Sequence, residues 1–331
     1  MNYQWTAWTA TNLAKGISPL KLVTTMVENS VPEAEAFTCV STVLASPCFL
    51  DLSKLDQKLQ KAYSILQILQ RLKEQTPDYG IIKKIDPPTM DEFVKDYWTA
   101  CYPVVIKGLT ADWPARTKWS LEWIRQNFGD EMIEIQEGRD NDPEFELNSL
   151  SLKKKCTLED FIQRIFDCES SNDFYMTANN HSLEHTRLGE MMNDIGTLPE
   201  YINGALTTGY WHLWMGPKGT RTPLHHDENA LLHTQLAGRK KWYFVPPYEL
   251  PNVYNTRGVF SEVDIFNIDY AKFPDMQSVK ILEVVVEPGE TMFLPVGWWH
   301  AVESLDRSIS TSFINFNLPN NWIFKNPQDT R

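Results

Sequence analysis

The chain has 331 residues, enough for one large domain with an appendage or for two ordinary domains. Its 43 acidic residues outnumber 31 basic ones, and a net charge of −12 argues against a surface made to hold phosphate backbones or anionic lipid, so neither a nucleic acid nor a membrane is an expected partner. The five cysteines, Cys39, Cys48, Cys101, Cys156 and Cys168, are odd in number and include no C-x-x-C pair, so neither a disulfide framework nor a zinc ribbon is indicated and a reducing, cytoplasmic setting is expected.

Met1 to Gly16 lacks an apolar leader core, and the longest uncharged run, Ala36 to Leu50, is interrupted by Pro47, so no export signal or membrane span is expected. Residues 1–80 read as an N-terminal helical region. Leu55, Leu59, Ser64, Leu66 and Leu69 recur near 3.6-residue spacing, with Ser53 as the expected N-cap. Amphipathic helices need a surface to bury against. Three uses stand open for these: a bundle capping the rest of the protein, a contact between two copies in a homodimer, or a dock for the leader segment of a substrate.

The charged stretch Lys73 to Asp86, ending in Pro87-Pro88, is the expected boundary to a second region, residues 81–331. Thr89-Met-Asp-Glu92 has the form of a capping box and predicts a helix through Tyr97. Pro103 to Ile106 reads as a buried strand, and Ser120–Phe128 and Thr157–Phe166 as helices. From about Asp173 the pattern changes to short strands punctuated by Gly and Pro: Trp211–Met215, Leu231–Leu236, Lys240–Val245, Ile281–Val286 and Ile309–Phe316. The predicted fold is mainly β, a barrel or sandwich preceded by helices.

Four of the seven histidines lie in Thr222-Pro-Leu-His-His-Asp-Glu-Asn-Ala-Leu-Leu-His233 and Trp298-Trp-His300. Strand residues two apart share a face, so His225 and Asp227 can point inward while His226 points out. With His300 they make two imidazoles and one carboxylate, the set that holds Fe(II) while leaving positions for a bidentate co-substrate and oxygen. A lone H-x-D is short enough to arise by chance. A second signal reinforces it: in Gly238-Arg-Lys-Lys-Trp-Tyr-Phe244, Lys240 shares a face with Trp242 and Phe244, while Arg239, Lys241 and Tyr243 face the other way. A cation among inward apolar residues needs an anion, and the distal carboxylate of 2-oxoglutarate, assisted by a hydroxyl such as Thr222, would supply it. The plainer reading of Lys240 is a solvated charge at a strand end.

The motifs T-P-L-H-H-D, Q-x-x-G-R-K and L-P-x-x-W-W-H, with the lead-in Pro103-Val-Val-Ile-Lys-Gly and Trp113-Pro-Ala, resemble the JmjC, cupin-like oxygenases over about residues 82–317, and among them the asparaginyl hydroxylases and bacterial cupin-like proteins. The resemblance implies a double-stranded β-helix (jelly-roll) core, Fe(II) as the metal, 2-oxoglutarate and O2 as co-substrates, and hydroxylation of a peptide or protein side chain. It implies that His225, Asp227 and His300 bind iron, that Lys240, Thr222 and Tyr175 bind the distal carboxylate, and that Asn315 lies near the metal-proximal end of the co-substrate. The sequence departs from the hydroxylase pattern at Leu231, where an asparagine is expected, and His233 two residues later is the candidate replacement. His212 falls where the resembling hydroxylases have an apolar residue, which makes it a candidate substrate contact. Hydroxylation of a small molecule, N-methyl-lysine demethylation and a non-catalytic metal-binding module remain as other readings.

Overall fold

The protein is described from a computed structural model covering residues 3–14 and 16–327. The chain divides after Gln75 into two compact units.

The first unit consists of α1 (Tyr3–Ala14), α2 (Pro19–Glu28), α3 (Glu33–Ala45) and α4 (Pro47–Glu74). Ser18 caps α2 by accepting from the Lys21 amide, with Pro19 at the first helical position, where a missing N–H costs nothing. Leu22, Val23 and Met26 of α2 pack on Ala36, Cys39 and Val40 of α3, with Trp5 and Trp8 of α1 against them. α4 begins at Pro47 rather than beyond Ser53. Pro47 takes the first helical position immediately after Ser46, so Ser53 lies inside the helix and is not its cap. None of the 28 residues of α4 is buried.

The second unit is built on strands β1 (Lys84–Ile85), β2 (Val104–Ile106), β3 (Met132–Glu137), β4 (Lys153–Thr157), β5 (Phe174–Tyr175), β6 (Trp211–Gly216), β7 (Arg221–His226), β8 (Leu231–Ala237), β9 (Lys240–Val245), β10 (Leu282–Val286), β11 (Thr291–Leu294), β12 (Trp299–Ser304) and β13 (Ser308–Phe313). Strands β6 to β13 form two antiparallel sheets, β11-β8-β13-β6 and β10-β9-β12-β7, and β2 and β1 extend the first. Consecutive strands from β6 to β9 alternate between the sheets, as do β10 to β13, which is the jelly-roll arrangement. Of the two architectures compatible with the strand pattern, this cupin-type sandwich is the one adopted. A third sheet, β4-β3-β5, lies before them in the chain.

Trp242, Phe244, Leu282, Met292, Leu294 and Trp298 form one core cluster. A larger cluster joins Leu213, Met215, Leu232, Phe293 and Phe313 of the six-stranded sheet to the helical lead-in, through Phe93, Ile124 and Phe161. Those three side chains come from α5 (Met90–Phe93), α7 (Leu121–Phe128) and α8 (Leu158–Asp167), with the short α6 (Ala115–Lys118) between the first two. The capping box at Thr89 and Glu92 is present, but only one α-helical turn follows it. Val94–Trp98 continues as a π-helical turn, so the expected helix reaches Tyr97 by a wider winding. Observed strand ends lie within a residue of those expected, except that β13 stops at Phe313 while Phe316 makes an isolated bridge to Ile202.

Candidate metal centre

β7 and β12 run antiparallel with His225 opposite His300, and a register shift follows between His300 and Val302. Asp227 comes one residue past the end of β7 and keeps the alternation. The three residues offer ligand atoms that all lie within 4.8 Å of one another. His225 Nε2 is 3.6 Å from Asp227 Oδ1, and His300 Nε2 is 3.8 Å from Oδ2.

Each imidazole is oriented from behind. Nδ1 of His225 lies 2.8 Å from the Pro223 carbonyl, and Nδ1 of His300 lies 3.0 Å from that of Trp298. A carbonyl only accepts, so Nδ1 carries the proton in both rings, and both Nε2 lone pairs turn toward Asp227. Burial holds His300 well below the ordinary histidine range, with His225 as a further cause. It also raises the Asp227 carboxyl, against the pull of His225 and His226. Two imidazoles and a desolvated carboxylate within 4.8 Å suit a divalent transition metal, and Fe(II) fits this donor set. His226 points away as expected, its ring against Trp299 and Phe324 and its Nε2 3.1 Å from Asn326 Oδ1.

The three residues line a cavity of about 490 Å3 that also contains Lys240, Thr222, Tyr175, His233 and His212. Lys240 is 2 % exposed and lies inward with Trp242 and Phe244, whereas Lys241 pairs with Glu283 and Arg239 with Asp306 on the other face. Its Nζ donates to the Tyr175 hydroxyl at 3.1 Å and to Ser310 Oγ at 2.9 Å. Among the described residues no carboxylate pairs with it, and burial pushes its pKa down to about 7. The plainer reading of Lys240 as a solvated strand-end charge is therefore wrong.

His233 is 4 % exposed, with its ring 5.1 Å from Trp242 and a buried Nε2 that has no partner among the described residues. His212 likewise leaves Nδ1 unpartnered. A buried polar atom without a partner is costly, so these atoms suit a polar ligand in the same cavity. Leu231 also lines the cavity.

Asn315 does not belong to the lining. It is buried, but its amide donates to the carbonyls of Asn203 and Leu206, which turns it to the opposite side of the chain from Ser312 and Ile314. The resemblance alone places it beside the co-substrate, whereas strand alternation puts residues of the other parity in the cavity.

Several site residues escaped sequence reasoning. Ser310 and Ser312 accept hydrogen bonds from Lys240 and from Trp214 Nε1, and the S-x-S-x-S spacing of Ser308 to Ser312 was the available signal. Phe260 stacks on His225 at 5.5 Å from a loop no strand pattern could place. Arg139, 1 % exposed, pairs with Glu146 at the cavity wall and lies 5.3 Å from the Tyr175 ring. Gly216 is needed for Tyr175 to approach: a Cβ there would stand 2.5 Å from the Tyr175 ring.

A two-sheet jelly roll with two imidazoles and a carboxylate lining a cavity defines a cupin-type metal-binding protein. The chain belongs to the cupin-like domain family, whose pattern matches residues 90–328. It is 30 % identical over 240 residues to lysine-specific demethylase JMJ30 of Arabidopsis thaliana, covering 70 % of this chain and 54 % of the relative. Identity to lysine-specific demethylase 8 of Danio rerio is 31 % over 243 residues, covering 70 % and 57 %. Identity to the 2-oxoglutarate and iron-dependent oxygenase JMJD4 of Mus musculus is 28 % over 262 residues, covering 70 % and 60 %. The chain thus spans somewhat more than half the length of these relatives.

Proposed function

We propose that the protein is an Fe(II)- and 2-oxoglutarate-dependent dioxygenase that hydroxylates an unactivated C–H bond of a peptide or protein side chain, with release of succinate and CO2. The observation that carries this reading is Lys240: a buried cation with no carboxylate partner among the described residues, in the same cavity as His225, Asp227 and His300. A plain metal-storage or structural site has no use for such a charge, whereas a dicarboxylate co-substrate needs a counter-charge. The bound metal and co-substrate supply the oxidation. The protein's own residues bind and orient: Lys240, Tyr175 and Thr222 take the distal carboxylate, His233 offers a further hydrogen bond, and His212 faces the substrate. The aromatic walls Trp214, Trp242 and Phe260 exclude water.

The lining also includes Glu228 and Asn229, polar groups able to engage a peptide. A second reading, N-methyl-lysine demethylation, draws on the names of the two demethylase relatives and uses the same metal centre. A cytoplasmic location accords with five cysteines of which none is in a disulfide, and association as a homodimer is part of the same reading. The test is iron- and 2-oxoglutarate-dependent succinate formation, together with mass spectrometry of candidate peptides. A gain of one oxygen atom supports hydroxylation, loss of a methyl group supports demethylation, and absence of succinate under any condition refutes both.

A further inference from the structure

α4 leaves a long apolar seam uncovered. Leu52, Leu55, Leu59, Ala62, Leu66 and Leu69 follow one another at alternating steps of three and four residues, the a and d positions of a heptad repeat. The leucines at 52, 55, 59 and 69 are 64, 63, 45 and 47 % exposed. Ile65 and Leu72 widen the seam along one side. Such a stripe represents on the order of 700 Å2 per helix, close to the roughly 800 Å2 each partner covers in a stable pair.

We propose that α4 joins two copies of this chain as an antiparallel coiled coil. The occupant is a second copy of α4, because knobs at a and d insert into holes formed by a facing heptad helix, and α4 itself carries that repeat. Its charges and side-chain sizes select the direction. In a parallel pair Asp51 at position g would meet Asp56 of the other copy at position e, Lys73 would face Lys73, and Ala62 on Ala62 would leave a gap. Reversal sets each a residue opposite a d residue. About a midpoint between Gln60 and Lys61, Leu52 then meets Leu69, Leu55 meets Leu66 and the large Leu59 meets the small Ala62, each layer occurring twice. Lys73 falls opposite Cys48, one turn from Asp51, so like charges are replaced by opposite ones.

This inference does not depend on the oxygenase reading. The full chain examined by sedimentation equilibrium across the micromolar range is expected to have the mass of a dimer. The Leu59→Asp/Leu66→Asp double variant, which removes no buried contact, is expected to be monomeric with unchanged helical circular dichroism. Orientation is read with Lys73→Cys under mild oxidation, where peptide mapping is expected to find Cys48 of one copy linked to residue 73 of the other. A monomeric wild type, a double variant that remains dimeric, or a Cys48–Cys48 link in the wild type would each overturn the proposal. So would a monomer that floats with phosphatidylcholine–phosphatidylglycerol vesicles, since the bent pair α3 and α4 has enough apolar length for a lipid surface.

Discussion

The ammonium of Lys240 stands 3.1 Å from the Tyr175 hydroxyl, and both groups are buried in the cavity that holds the metal ligands. The ammonium donates to the hydroxyl, and among the described residues no carboxylate pairs with the ammonium, so an arriving carboxylate would complete the set. Burial accordingly lowers the Lys240 pKa and raises that of Tyr175.

Lys240→Met is therefore expected to weaken 2-oxoglutarate binding by about 2–5 kcal/mol while leaving metal affinity nearly unchanged. Arg239→Met, on the outer face and paired with Asp306, should do neither. Anaerobic titration of both variants with 2-oxoglutarate makes the comparison, and equal losses would contradict the inward placement.

The same replacement is expected to stabilise the ligand-free protein, because a buried cation with no carboxylate partner among the described residues gives way to an apolar side chain of similar volume. The sign follows from the protons. The unfolded chain keeps Lys240 protonated up to about pH 10.5, while the folded one releases the proton near 7. Between these values the unfolded state binds more protons, so wild-type stability gains on the variant as pH rises from about 7 to 10.5. Chemical denaturation at pH 7 and 9 should show the gap narrowing.

For the co-substrate the direction is opposite. A bound carboxylate favours charged Lys240, so affinity for 2-oxoglutarate is full below about pH 7 and declines by up to tenfold per unit above it, with proton uptake. Calorimetry at pH 8 in buffers of different ionisation enthalpy measures that uptake. A value of zero would mean that Lys240 is charged without the ligand.

His225→Ala, Asp227→Ala and His300→Ala should each lose metal binding and activity by roughly 100-fold or more while melting within a few degrees of wild type, since the metal serves chemistry and not the core. Iron content, succinate formation and thermal melts distinguish this from misfolding. Tyr175→Phe should cost about 1 kcal/mol of 2-oxoglutarate binding.

His233→Phe is expected to raise the 2-oxoglutarate requirement several-fold, because its Nε2 lies unpartnered in the co-substrate cavity. His212→Leu should leave that requirement alone and uncouple 2-oxoglutarate turnover from product formation. Unchanged kinetics in both variants would return the two histidines to a packing role.

Much of this was legible in the sequence because it is written in local periodicity. Alternation along Lys240 to Phe244 determined which side chains face inward, H-x-D put two ligands on one face, and the leucine spacing of α4 marked its apolar seam. The start of α4 was misjudged at Ser53 because a capping residue is a weaker signal than Pro47 at the first helical position. What depends on contacts between distant segments could not be read in this way. The pairing of His225 with His300 across β7 and β12 is set by the order of strands in a sheet, the stacking of Phe260 by the course of a loop, and the exclusion of Asn315 by two carbonyls more than 100 residues away in sequence. Periodicity gives a side chain its face. Only the tertiary structure, by joining segments whose sequence separation leaves no local trace, decides what that face meets.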